Sequence, residues 1–110
     1  MILSFASRRL EKQLSDEAQI RRAFGDRGWR LMMRLDVLKA AANLDDVPHT
    51  PPIRRHALSG KWAGHYAVDI TGNWRLIFRP VTAAASRDPG GVADLAGITA
   101  IEIVAIEDYH

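Results

Sequence analysis

Three prolines within five residues, Pro48, Pro51 and Pro52, divide this chain into two stretches whose apolar residues recur with different periods. Proline carries no amide donor, and the preceding Asp45-Asp46 pair favours a turn, so residues 43–52 are expected as a linker. Before the break the spacing is helical: Ile20, Phe24, Leu31, Leu35, Leu38 and Ala42 follow one face of a 3.6-residue period across residues 16–42. Arg27, Arg30, Arg34 and Lys39 fall on the opposite, solvent face. After the break the spacing is that of strands. Residues 65–70 and 74–79 flank Thr71-Gly72-Asn73 as a β-hairpin. Residues 98–106 read as a last strand, with Ile101 and Ile103 on one face and Glu102 and Val104 on the other.

Smaller signals complete the outline. Ile2-Leu-Ser-Phe reads as a short strand that leads into a helical segment with Leu10 and Leu14 on one face. Ser15 is the expected N-cap of the next helix, with Asp16 and Glu17 near the positive end of its dipole. Gly25 and Gly28 each weaken a helix by about 1 kcal/mol relative to alanine. The stretch is therefore one long helix or two closely joined ones. Residues 83–94, rich in Gly, Pro and Ala, are expected as a surface excursion. Helices followed by an antiparallel meander predict a single α+β domain over residues 1–110, its N-terminal strand and helices packed on one face of a small four-stranded antiparallel sheet.

Composition excludes several classes. The 110 residues hold no cysteine, which removes thiolate catalysis and cysteine zinc sites. No apolar run approaches the ~20 residues that cross a bilayer, so no membrane association is expected. The opening Met1-Ile-Leu-Ser-Phe-Ala-Ser-Arg-Arg places charge after the apolar residues, the reverse of a secretion signal, and the expected location is the cytoplasm. His49, His56, His65 and His110 never stand at the i, i+4 spacing of a metal pair, and Asp88-Pro-Gly-Gly lacks the lysine of a phosphate loop. No metal and no cofactor are expected. Residues 1–61 carry 12 basic against 7 acidic side chains, and residues 62–110 carry 3 against 6. A basic half suits an anionic partner or a solvated helix face.

The remaining polar residues, His56, Ser59, Lys61, Arg75, Arg79, Asp108, Tyr109 and His110, match one chemistry by type. Cleavage of RNA by its own 2′-hydroxyl needs a base, an acid for the leaving 5′-oxygen and fixed positive charge for the phosphorane. Histidine serves either proton role, each worth about 10²- to 10⁴-fold, and arginine or lysine supplies the charge. Trp62, Trp74 and Tyr109 are candidates to stack on unpaired bases. Each residue also has a plain structural reading. His56 suits a strand start, Arg75 and Arg79 alternate with Leu76 and Phe78 as the wet face of a strand, the tryptophans suit packing, and the last four residues suit a frayed tail.

The run from His56 to Arg79, with Gly72-Asn-Trp-Arg-Leu-Ile-Phe at its centre, and the closing Asp108-Tyr-His resemble HigB-type toxins of the RelE/ParE superfamily. The resemblance implies a ribosome-dependent mRNA endoribonuclease, held inactive by a HigA-type helix-turn-helix antitoxin, that meets operator DNA only through the antitoxin complex. It carries His56, Asp108, Tyr109 and His110 over as catalytic residues, with His56 and His110 as the proton-transfer pair. Asp108 would orient a partner, Tyr109 would hold the RNA and Arg75 would stabilise the phosphorane. Binding to the 70S ribosome makes Arg27, Arg30, Arg34, Arg54 and Arg55 candidate rRNA anchors. Two departures stand out. Where the family reads His-x-Leu-Lys-Gly, this chain has Ser59, and Lys61 is placed to substitute if the segment is a strand. The connection from Pro80 to Gly97 is longer than the family's usual turn. The alternatives are a ParE-like gyrase inhibitor, which lacks the terminal Asp-Tyr-His, and a catalytically inactive antitoxin-binding relic, for which Ser59 speaks.

Overall fold

The structure is a computed structural model that describes residues 1–81 and 94–108. Its elements run β1 (Ile2–Phe5), α1 (Arg8–Gln13), α2 (Glu17–Phe24), α3 (Gly28–Ala40), β2 (His56–Ala57), β3 (Tyr66–Asp69), β4 (Trp74–Pro80) and β5 (Ala100–Asp108). The α+β class holds, with two changes to the sheet. It has five strands in the order β1-β5-β4-β3-β2, because His56-Ala57 adds a short edge strand. Its outer pair is parallel: β1 runs alongside β5, with Leu3 opposite Ile101, while the other pairings are antiparallel. No turn joins β1 to β5, so no local signal in the chain sets their relative direction.

Residues 16–42 form two helices joined at the glycines. Gly25 ends α2 with φ of +59°, a backbone state glycine adopts without steric cost, and a 3₁₀ turn over Gly25–Arg27 leads into α3. A Cβ on Gly28 would lie 3.2 Å from Ile20 Cγ2 and 3.3 Å from the Ile20 carbonyl oxygen, so the missing side chain lets the helices approach. Asp16, not Ser15, caps α2: the Asp16 carboxylate accepts from the Gln19 amide at 2.9 Å. The Ser15 hydroxyl instead donates to the Lys12 carbonyl at the end of α1, at 2.8 Å. Ala42 lies beyond the end of α3 and is exposed rather than part of the buried stripe.

The core lies between α3 and one face of the sheet. Leu31, Leu35 and Leu38 pack with Ile20, Val68, Leu76, Phe78, Ile101 and Ile103, all nearly inaccessible. Arg34 does not share the solvent face expected of it: it is 8% exposed. Between β4 and β5 the register slips, with Ile77 opposite Ala105 but Phe78 opposite Ile103. Val104 is the extra residue of a bulge, so the simple alternation expected for this strand reverses there. Ile101, Ile103 and Ile106 all reach the core, while Glu102 and Glu107 both take the other face.

Candidate active site

Residues directly opposite one another in antiparallel strands share a face. The register therefore sets His56, Ala67, Ile77 and Ala105 in one row on the face away from the core, and Asp69, Arg75 and Glu107 in the next. His56 and Arg75 are two strands and one two-residue step apart. Strand spacing of ~4.8 Å and rise of ~3.4 Å per residue put their Cα atoms about 12 Å apart, a gap two side chains and a phosphodiester can span.

The half-buried His56 ring has Nδ1 2.7 Å from the Arg54 carbonyl. A carbonyl only accepts, so Nδ1 carries the proton and Nε2 of the neutral ring is the basic nitrogen. Arg75 is mostly buried, its side chain 16% exposed, with Nη2 3.9 Å from Glu107 Oε1. Arg79 is far more open, and its Nε donates to Glu102 at 2.8 Å. The sequence reading puts Glu107 in a frayed tail and not among the site candidates, and a strict alternation along β5 would place it with the core residues. The bulge brings it opposite Arg75.

Several expected roles change. Ser59 and Lys61 do not lie on a strand: Gly60–Trp62 is a 3₁₀ turn, and two residues along such a turn do not share a face. Lys61 is exposed, its Nζ 5.7 Å from the Trp62 ring centroid. Trp62 is half-buried, edge-on to His65 with centroids 5.2 Å apart, and Trp74 packs on the core with the Arg27 guanidinium 4.1 Å above it. Neither is an open stacking platform. The exposed aromatic among the described residues is Trp29, which together with Met33, Pro51, Pro52 and Ile70 lines a groove of about 540 Å³ between α3 and the hairpin turn. Its signal was a large apolar pair, Trp29 and Met33, one helical turn apart and off the core stripe. Asp108 stands opposite Trp74, on the helix side of the sheet and one residue past Glu107. Tyr109 and His110 lie outside the described residues, as do residues 82–93, which include most of the expected excursion.

Three of the five candidate rRNA anchors are bound into the fold. Arg34 Nε donates to the Asp69 carbonyl at 2.6 Å. Burial pushes the Arg34 guanidinium below its usual range, Arg30 one turn away adds to the shift, and Asp69 opposes it. Arg54 grips the Asp69 carboxylate through Nε at 2.7 Å and Nη2 at 3.2 Å. Arg55 Nη1 donates to the carbonyls of Leu44, Asp45 and Val47 at 2.7, 3.2 and 3.0 Å, tying down the linker. Arg27 and Arg30 remain exposed, Arg30 lying 4.9 Å from the Trp29 ring centroid.

Solved toxin structures share this helix-backed mixed sheet at the level of fold. YafQ from E. coli strain BL21(DE3) superposes with a TM-score of 0.56 at 12% identity, covering 96% of this chain and 90% of that one, and a YafQ mutant gives 0.57 at 13%. A YoeB/ParE toxin from Agrobacterium tumefaciens gives 0.55 at 15% identity over the full length of both chains. No curated protein matches in sequence. The profile of the HigB-like toxins, RelE-like toxins of type II toxin-antitoxin systems, matches residues 3–88, and the chain belongs to that family. Membership in a type II system implies an antitoxin partner. No helix among the described residues is long and apolar enough to cross a membrane.

Proposed function

We propose that this toxin is a ribosome-dependent mRNA endoribonuclease of the cytoplasm, neutralised by a HigA-type helix-turn-helix antitoxin. The observation that carries the reading is His56: its Nδ1 is committed to a carbonyl, and its Nε2 is the basic nitrogen of a ring on the same sheet face as Arg75. In this mechanism one of His56 and His110 removes the proton from the RNA 2′-hydroxyl. The 2′-oxygen attacks the adjacent phosphorus, the other histidine protonates the departing 5′-oxygen, and the products are a 2′,3′-cyclic phosphate and a free 5′-hydroxyl. Arg75 neutralises the phosphorane, Tyr109 holds the RNA, and Asp108, on the helix side of the sheet, can orient only a partner outside the His56–Arg75 face. Arg79 contributes positive charge to substrate binding, Lys61, exposed on a 3₁₀ turn, adds charge nearby without taking the place of the family lysine, and the scheme needs no metal or cofactor.

Inducible expression without antitoxin, with 5′-end mapping of mRNA, tests this. Wild type should cut within translated frames, and His56→Gln and His110→Ala should each lower cleavage by about 10²- to 10⁴-fold. His56→Gln should shift unfolding free energy by less than about 1 kcal/mol, the scale of one neutral hydrogen bond. Arrest with intact mRNA in both variants would identify a gyrase-type target instead, and absence of arrest in wild type would identify an inactive relic.

A further inference from the structure

Asp69 uses its amide, its carbonyl and its carboxylate at once. The amide donates to the Ile53 carbonyl at 2.8 Å, the carbonyl accepts from Arg34 on α3, and the carboxylate holds Arg54 through two bonds. It also stands opposite Arg75 in the β3–β4 register. One residue therefore joins α3, the segment that follows the proline-rich linker and the sheet beside the candidate site.

Arg54 is where that junction reaches His56. Its φ of +50° lies in the left-handed region, which costs a non-glycine residue free energy and persists only where surroundings impose it. The surroundings do so on both sides: the Arg54 amide donates to the Thr50 carbonyl and the Arg55 amide to the Pro48 carbonyl, each at 2.9 Å, while Asp69 fixes the side chain. The carbonyl that results points at His56 Nδ1.

We propose that Asp69 and Arg54 form a positioning pair that holds the His56 ring with Nδ1 protonated and Nε2 turned to the substrate. An oxygen acceptor that fixes one ring nitrogen selects the tautomer at the other, the arrangement by which an imidazole is readied as a base. A bidentate guanidinium–carboxylate pair fixes direction as well as distance, which a lysine in place of Arg54 cannot do. Neither residue touches the RNA in this scheme. The catalytic part rests on the nuclease reading above, but the tautomer does not.

The test combines ¹⁵N NMR of the histidine rings with single-turnover cleavage of ribosome-bound mRNA, for wild type, Asp69→Asn, Arg54→Ala and Arg54→Lys. The neutral ring of wild-type His56 should show a protonated Nδ1. Asp69→Asn and Arg54→Ala should shift His56 toward a mixture of tautomers and lower the cleavage rate 10- to 100-fold with the binding constant for ribosomes changed less than threefold. Arg54→Lys should fall between them and wild type. A wild-type His56 protonated at Nε2 overturns the proposal with no variant needed. Unchanged His56 resonances and rates in folded Asp69→Asn and Arg54→Ala overturn it as well. A tautomer that is Nδ1-protonated in wild type and shifts in the variants, in a protein that cuts no RNA, would support the pair and remove the nuclease reading, so the two failures are distinguishable.

Discussion

The two faces of the sheet are built from the same strands and held by different physics. Toward α3, Val68, Leu76, Phe78, Ile101 and Ile103 are buried among leucines, and their contribution is area removed from water, which tolerates small shifts of position. On the other face, where Ala67 and Ile77 are themselves fully buried, the register pairs carboxylates with arginines, Glu107 with Arg75 and Glu102 with Arg79, and the Arg54 carbonyl two residues back in the chain holds His56. Directional bonds there depend on register. The Val104 bulge illustrates the difference: it keeps three isoleucines on the core face and, by the same slip, puts both glutamates on the other.

The comparison is sharpest at Phe78. Phe78→Ala should cost about 3–5 kcal/mol in urea unfolding, because a fully buried ring leaves a cavity between α3 and the sheet. A cost below ~1 kcal/mol would show that α3 does not seal this face. Next comes the boundary between the faces. Arg34→Met keeps the volume but leaves the Asp69 carbonyl without its donor, and a loss of about 1–3 kcal/mol is expected. An unchanged unfolding midpoint would mean that water replaces the guanidinium without penalty, making Arg34 a surface residue in effect.

Within the helical half, Asp16→Ala should lower stability by about 1 kcal/mol and Ser15→Ala by much less, since only Asp16 caps α2. Equal losses would restore Ser15 as the cap. The smallest effect belongs to the exposed ion pair of the second face. Glu102→Gln should change stability by about 0.2–1 kcal/mol, and the change should shrink in 1 M salt. An effect that survives high salt would place Arg79 in a drier setting than its 47% exposure indicates.

Legibility in the sequence followed interaction range. The stripe through Ile20, Leu31, Leu35 and Leu38 and the hairpin around Gly72 were readable because period and turn chemistry act between near neighbours. Arg34 sits one turn from Arg30 with the same side chain and the same local signal, yet one is buried and the other exposed. Their difference is set by Asp69, thirty-five residues away, which no periodicity reports. The same limit hid Glu107 and turned Arg54 and Arg55 from expected rRNA anchors into supports of the linker.

The sequence by itself determined the α+β class, the break at Pro48–Pro52, the core stripe, the hairpin and the HigB-type resemblance, all carried by residues close together in the chain. Tertiary structure decided the direction of β1, the fifth strand, the bulge at Val104 and the link from Asp69 through Arg54 to His56. All but the last step, from Arg54 to His56, join residues well separated in the chain, and the strand pairings among them depend on register. A one-residue slip would reverse which side chains meet, and only the packed sheet fixes it.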